Sequence, residues 1–421
     1  MFKFIHAADV HLDSPLNKLD YYEGAPKEEI RQATRRAFEN LVQTAVSEQV
    51  DFILIAGDLY DGDWKDYSTG LYLMSQTRIL SGAGIPVCIV AGNHDAANKI
   101  TKSLRLPQNI HLFPSNKPAT VTMEALNVAV HGQSFATPAV KKDLSHNYPA
   151  PLPGYFNIGL LHTCATGREG HEPYAPCSLQ GLQARGYDYW ALGHVHQREV
   201  LLEQPPVVFP GNIQGRHPRE TGAKGCLLVT VDDLGRPELE FKPLDVIRWV
   251  IAAVDATAAE SGYEVVDRVR AKLESLMDEH QGIPLVARVR IAGETTAHTE
   301  LLTDVERWVN EIRSAGLDIG GGRVWVEKIK FQTCLPAAGQ YFQKRDGAIG
   351  ELVDLLDELA ASPDLIRELS MEFTDLEKKI PRELKNRLDG IRIEDADWLG
   401  GVLDQVRPLL LQRLMQKKDS A

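Results

Sequence analysis

Cysteine is scarce and scattered. Cys88, Cys164, Cys177, Cys226 and Cys334 form no CxxC pair and no even framework, which argues against a thiolate zinc site or a disulfide scaffold and fits a reducing, cytoplasmic setting. No stretch reaches the roughly 18 consecutive apolar residues of a membrane span. The opening Met1-Phe2-Lys3-Phe4-Ile5-His6 lacks the charged, apolar and small-residue regions of a secretory signal. A basic excess is missing too: 46 Lys and Arg face 58 Asp and Glu, a formal net charge of −12. That speaks against a nonspecific nucleic-acid coat, whose affinity comes from cations at phosphates. It does not speak against a nuclease, because two bound divalent cations would bring about four positive charges to the reacting centre.

What is present is the composition of a globular protein, 421 residues with 43% hydrophobic and 25% charged, long enough for two or three domains. Apolar runs at 2–8, 52–56 and 86–91 read as buried strands, separated by helical patterns over 28–49 and 68–81. Strand–helix repetition of this kind specifies a mainly parallel sheet. From about Ile110 the apolar runs tighten, at 121–123, 127–130, 156–161, 187–192, 207–209 and 226–231. A second sheet packed on the first is expected, giving an α/β, two-sheet sandwich over 1–243. Residues 244–335 read as an α+β unit: strands at 248–254, 284–291 and 324–331, helices at 262–278 and 302–315. Residues 336–421 read as helical, broken at Ser362-Pro363, Ile380-Pro381 and Asp389-Gly390.

Chemistry concentrates where the strands of the first half end. Ala8-Asp9-Val10-His11, Gly57-Asp58-Leu59-Tyr60-Asp61, Gly92-Asn93-His94-Asp95, Leu161-His162-Thr163 and Gly193-His194-Val195-His196 supply carboxylate, amide and imidazole donors. Open α/β sheets bind ligands at this edge. Side chains alternate along an extended segment, so Asp9 with His11, and His194 with His196, are each expected to face one side. Asp58 follows a strand too apolar to end in a carboxylate casually and can bridge two cations. Asn93 adds an oxygen without adding charge. His94 is better placed for the substrate phosphate, or for protonating the leaving oxygen, with Asp95 orienting its ring. Asp61 and Asp63 are expected to cap the next helix or stay solvated. His131 and the loop Pro210-Gly211-Asn212-Ile213-Gln214-Gly215-Arg216 are further candidates for the surroundings of the site.

The ordered set D-x-H, G-D-x-x-D, G-N-H-D, H-T and G-H-x-H resembles the calcineurin-like metallophosphoesterases. Within them Ala7 to Asp13, Gly57 to Asp61 and Gly193 to His196 resemble the SbcD-type DNA repair exonucleases, in particular a YhaO-like branch. The motifs cover 9–196; the looser likeness, with a capping domain and a helical tail, covers the whole chain. The resemblance implies one metal on Asp9, His11, Asp58 and His196, and a second on Asp58, Asn93, His162 and His194. It implies His94 as the catalytic histidine. It leans toward manganese, whereas the mixed oxygen and nitrogen donors alone admit manganese, iron or zinc. It implies DNA as substrate and an SMC-like ABC ATPase as partner, gripped by the C-terminal helices along Leu352 to Leu359, Leu399, Val402, Leu403 and Leu409 to Leu411. Whether the chain forms a homodimer is left open.

Two departures stand out. Asp13 replaces a usual glycine, and a carboxylate there is expected to narrow or repel a DNA path. Gly62 and Asp63 replace the Arg-Gly with which protein phosphatases continue G-D-x-x-D, removing the arginine that holds phosphate there. The expected reaction is two-metal hydrolysis of a phosphodiester. A phosphodiesterase or nucleotidase acting on small nucleotides is the alternative, since the ligands are common to both.

Overall fold

The computed structural model describes residues 1–14, 27–61, 68–97, 107–165, 174–336 and 348–381, with 393, 395, 398–403 and 406. The first apolar run forms β1 (Phe2–Ala7), followed by α1 (Lys27–Ser47), β2 (Phe52–Ala56), α2 (Ser68–Gly82), β3 (Val87–Val90) and α3 (Asn93–Ala97). β4 (Ile110–Leu112), β5 (Ala119–Met123), β6 (Val128–Gly132), β7 (Phe156–His162), α4 (Leu179–Gln183) and β8 (Tyr189–Gly193) come next. β9 (Glu199–Glu203), β10 (Pro206–Phe209), β11 (Gly225–Val231) and β12 (Pro237–Pro243) complete the first half. The sequence pattern misses β4, β9 and β12, which are short or half-exposed and carry no continuous apolar run.

These strands build the expected two-sheet sandwich. One sheet runs β12-β11-β1-β2-β3-β4 and the other β5-β6-β7-β8-β10-β9. The centre of each is parallel: Phe4 pairs with Phe52 and Ile53 with Val87, and in the second sheet Ile158 pairs with Tyr189. Parallel strands need both faces covered. Phe4, Phe52, Leu54, Val90, Ile158, Tyr189 and Val208 fill the space between the sheets. Ile5, Ile53 and Val87 pack with Phe38, Leu41 and Leu73 of α1 and α2 on the outer face of the first sheet. Trp190, Leu192 and Phe209 cover the outer face of the second.

At the carboxyl ends the two sheets come close together. Gly193 closes β8, and a side chain there would run into the carbonyl oxygen of Ala56 at the end of β2. Gly57 has φ +94, and a Cβ would meet the His162 ring. Only glycine tolerates both demands.

Strands β13 (Arg248–Asp255), β14 (Leu285–Glu294) and β15 (Val324–Cys334) form a third sheet in that order. Helices α5 (Gly262–Glu279), α6 (His298–Thr303) and α7 (Val305–Asp318) lie between them in sequence. By packing the chain divides into two compact units, one of 1–252, 273–288 and 316–328, the other of 253–272, 289–315 and 329–421. In the second unit, α8 (Ala348–Ala361) and α9 (Pro363–Glu372) meet at the expected Ser362-Pro363 break, and α10 (Thr374–Lys379) ends before Ile380-Pro381. The sequence pattern does not anticipate the break between α9 and α10, and Asp389-Gly390 lies outside the described residues. Leu356 is buried but Leu355 exposed, and Leu399 packs with Ile366 and Ile393. Leu409 to Leu411 lie outside the described residues, as does Asp63.

Candidate metal centre

β1 stops at Ala7, and the chain then does something the alternation rule does not anticipate. Asp9 (φ 50) and His11 (φ 47) are left-handed rather than extended. Their amides bond to the carbonyls of Gly57 (3.0 Å) and Asp58 (2.9 Å), so the backbone coils along the end of β2. Asp58 (φ 51) and His194 (φ 104) are left-handed too. Such conformations cost of order 1–3 kcal/mol per residue and persist where surrounding structure over-determines them. The strand-alternation argument for both D-x-H and H-x-H is therefore corrected: strained turns, not extended segments, aim these side chains.

The consequence is clearest for His194 and His196, which part company. His196 joins Asp9 and His11, while His194 joins Asp58 and His162; a further cluster unites His11, Asp58 and His94. In each, one donor atom per residue lies within 4.8 Å of the others. Asp58 Oδ2 stands between the groups, 3.8 Å from His11 Nε2 and 3.5 Å from His162 Nε2. Asn93 Oδ1 is 3.0 Å from His162 Nε2. All seven residues proposed as ligands from the sequence thus come to one place.

The supporting residues differ from expectation. Asp95 does not orient His94. Its buried carboxylate accepts from the amides of Leu59 (3.2 Å), Tyr60 (2.9 Å) and Gly92 (2.9 Å), fastening the two ligand loops together. Asp61, expected to cap a helix or stay in water, takes that role instead, with Oδ1 2.8 Å from His94 Nδ1. Its other oxygen accepts from Ser14 Oγ and from Arg216 Nη1, the latter at 2.9 Å. Arg216, from the 210–216 loop, thus pairs with the aspartate that ends the G-D-x-x-D string.

Glu220 was not anticipated. It lies 2.8 Å from His196 Nδ1 and accepts from Asn212 Nδ2 and the Arg216 amide. Nothing local marks it, because it is remote in sequence from His196. Asp61 carried a signal, its place three residues after Asp58. His131 turns away, bonding Thr120 and Asn157. Asp13 is gripped by Arg35 at 2.6 Å through both oxygens and accepts from Thr69. Its charge is paired rather than presented to a DNA path.

Charge in this enclosure is costly. Burial, reinforced by Asp58, raises Asp9 well above the usual carboxylate range, and burial lifts Asp58 to about 6 and Asp95 to about 7. Burial pushes His162 down to about 3 and, helped by Arg216, lowers His11. Asp61 goes the other way: burial would raise it, but hydrogen bonds from His11 and His94 hold it well below the usual range. The bond to Asp61 raises His94 against its burial.

A divalent-ion pair fits this donor set. His162 Nδ1 faces the Ala56 carbonyl at 2.9 Å, so the ring proton belongs there and Nε2 offers a lone pair. That lone pair confronts another acceptor, Asn93 Oδ1. His196 Nδ1–H likewise donates to Glu220, leaving Nε2 with a lone pair 3.3 Å from His11 Nε2. A cation between them would satisfy the facing His162 and Asn93 acceptors, and fixing the remote ring nitrogen is how proteins set a histidine ligand. Asp9, His11, Asp58 and His196 would hold one ion, and Asp58, Asn93, His162 and His194 the other.

Residues 2–198 match the calcineurin-like phosphoesterase family model, and 249–334 match the middle domain of metallophosphoesterase YhaO. The "uncharacterized metallophosphoesterase YhaO" of Bacillus subtilis (strain 168) is 36% identical over 297 residues, 69% of this chain and 71% of that protein. The chain belongs to the calcineurin-like metallophosphoesterases. As a metallophosphoesterase it is a hydrolase of phosphoester bonds, and within the family its likeness is to YhaO. More distant is the DNA double-strand break repair protein Mre11 of Methanopyrus kandleri, 27% identical over 301 residues, 64% of this chain and 62% of that protein. Mre11 of Sulfurisphaera tokodaii is 25% identical over 202 residues, 47% and 50% of the two chains.

Proposed function

We propose that this metallophosphoesterase hydrolyses phosphodiesters in DNA, as an exonuclease in repair, with two divalent ions, manganese preferred. The observation that carries the two-metal hydrolase reading is Asp58 Oδ2, 3.8 Å from His11 Nε2 and 3.5 Å from His162 Nε2, with the His94–Asp61 pair beside it. The likeness to Mre11 supports DNA as substrate, and the pairing of Asp13 with Arg35 removes the objection its carboxylate raised.

Bound ions would polarise the phosphoryl oxygens and lower the pKa of an attacking water. The protein's own part is to position and to move a proton. Asp61 holds His94 Nδ1, which fixes the ring and favours its protonated form. Nε2 is then the nitrogen that delivers a proton to the departing oxygen. Arg216, tied to Asp61 and Ser14, holds that carboxylate in place.

A manganese-dependent assay on linear double-stranded DNA, single-stranded DNA and bis-p-nitrophenyl phosphate tests the reading. Cleavage of DNA is expected; turnover of the small ester alone would sink it in favour of a nucleotidase or small-molecule phosphodiesterase.

A partnership with an SMC-like ATPase is part of the same proposal. Leu355, Met371, Phe373 and Leu376 on the C-terminal helices are exposed apolar residues of the kind that grip a coiled coil. A pull-down with the full chain, lost when the chain is cut near Gly339, is the expected result.

A further inference from the structure

Beside the first ligand cluster lies a cleft of about 440 Å³, open to solvent and lined by His196, Arg198, Arg219, Glu220 and Lys224 among others. It shares His196 with the first ligand cluster, so whatever enters it borders that cluster. The total charge of the chain is strongly negative, yet this wall is cationic. Arg198 stacks over the Phe241 ring at 4.0 Å from its centroid. Stacking fixes a guanidinium by its face and leaves the N–H donors at its edge for an anion. Neither Arg198 nor Arg219 makes an ion pair among the described residues. Lys224 is engaged by the backbone instead, its Nζ donating to the His196 carbonyl at 3.0 Å.

Glu220 is the acidic group named in the lining, and its charge is already engaged. One oxygen accepts from His196 Nδ1–H, and the other accepts from Asn212 Nδ2 at 2.9 Å and the Arg216 amide at 2.7 Å. The two exposed guanidiniums therefore face an incoming group without a competing carboxylate bound to them. Guanidinium forks match phosphate oxygens in geometry as well as charge.

We infer that this cleft is a subsite for a backbone phosphate next to the scissile one, held by Arg198 and Arg219, so that the enzyme binds a polynucleotide strand rather than an isolated ester. The inference rests on the nuclease reading above and names how that substrate is gripped. A small diester has no second phosphate and gains nothing from the cleft.

The test is binding of a short fluorescein-labelled oligothymidylate to the full chain in chelator, followed by anisotropy across a salt series. Arg198→Ala/Arg219→Ala is expected to weaken binding at least about tenfold and to flatten the salt slope by about 1.4, two contacts at about 0.7 each for a single strand. The charge-preserving Arg198→Lys/Arg219→Lys should recover most of the affinity, and unchanged thermal unfolding certifies the fold of both. If the alanine variant binds with wild-type affinity and slope, or if the wild type does not bind the strand, the subsite is overturned. Failure of the nuclease reading looks different. A wild type that binds through these arginines but, given manganese, leaves the strand uncut retains the subsite and loses the activity.

Discussion

Asp61 Oδ1 lies 2.8 Å from His94 Nδ1, while Asp95, the neighbour of His94 in sequence, is spent on three backbone amides. Two carboxylates close to one histidine thus do separate jobs. Asp61→Asn is expected to lower kcat on DNA, whose alkoxide leaving group needs a proton, by about 100-fold, the lower end of what general-acid groups contribute, with metal content unchanged. Asp95→Asn should act mainly on the melting temperature. Kinetics and metal analysis of the two variants side by side check the division; equal loss of metal in both would contradict it.

Asp58 is the carboxylate between the clusters, so its loss should be felt at both ions. Asp58→Asn is expected to reduce the divalent metal retained by the wild type by half or more and to abolish turnover. His94→Ala should keep the metal and lose most of the turnover. Elemental analysis after dialysis separates them.

Glu220 would act on a bound metal through His196, whose Nδ1 lies 2.8 Å from it. Partners of this kind are typically worth 10- to 100-fold in metal affinity. Glu220→Ala should weaken binding of the first ion by that order, read by calorimetric titration of the metal-free protein. An unchanged affinity would show that the Glu220–His196 bond carries no such role.

His6, near but outside the ligand set, is buried with Nδ1 3.0 Å from Tyr189 Oη and Nε2 3.1 Å from the Leu192 carbonyl. Burial lowers its pKa from 6.5 to about 3. The unfolded chain therefore takes up this proton first as pH falls. Its stabilising contribution is complete above about pH 6.5 and is lost progressively toward pH 3, with a slope of up to about 1.4 kcal/mol per pH unit. His6→Gln should flatten the dependence of unfolding free energy on pH between about 6 and 4 by close to one proton. Denaturant titrations of both metal-free proteins at several pH values measure it; identical slopes would refute the assignment.

Asp13 is bound by Arg35 and Thr69, not turned toward a substrate path. Asp13→Asn is expected to cost about 1 kcal/mol of stability, a discounted value for a partly exposed pair, and to leave the ratio of DNA to small-ester cleavage unchanged. A rise in that ratio would restore the repulsive role.

The sequence by itself determined the strands that matter and the residues at their ends. Buried parallel strands such as Phe52–Ala56 read as unbroken apolar runs, and a run that stops at Gly-Asp or Gly-Asn-His declares where its chemistry lies. Burial of this kind is a local property, so it is legible residue by residue. Edge strands such as Glu199–Glu203 were not, because half-exposed residues give no such run. Motif spacing left the grouping of the ligands unstated and only the resemblance implied it; the tertiary structure supplies its physical reason. The left-handed turn at His194 sends it to Asp58 and His162 while His196 goes to Asp9 and His11, a separation that H-x-H spacing cannot express. Asp61 acquired its role because Arg216 and His94 come to it from distant loops, and Glu220 because its loop passes His196. Those partnerships depend on strand order and sheet packing, which hydrophobic periodicity leaves unspecified.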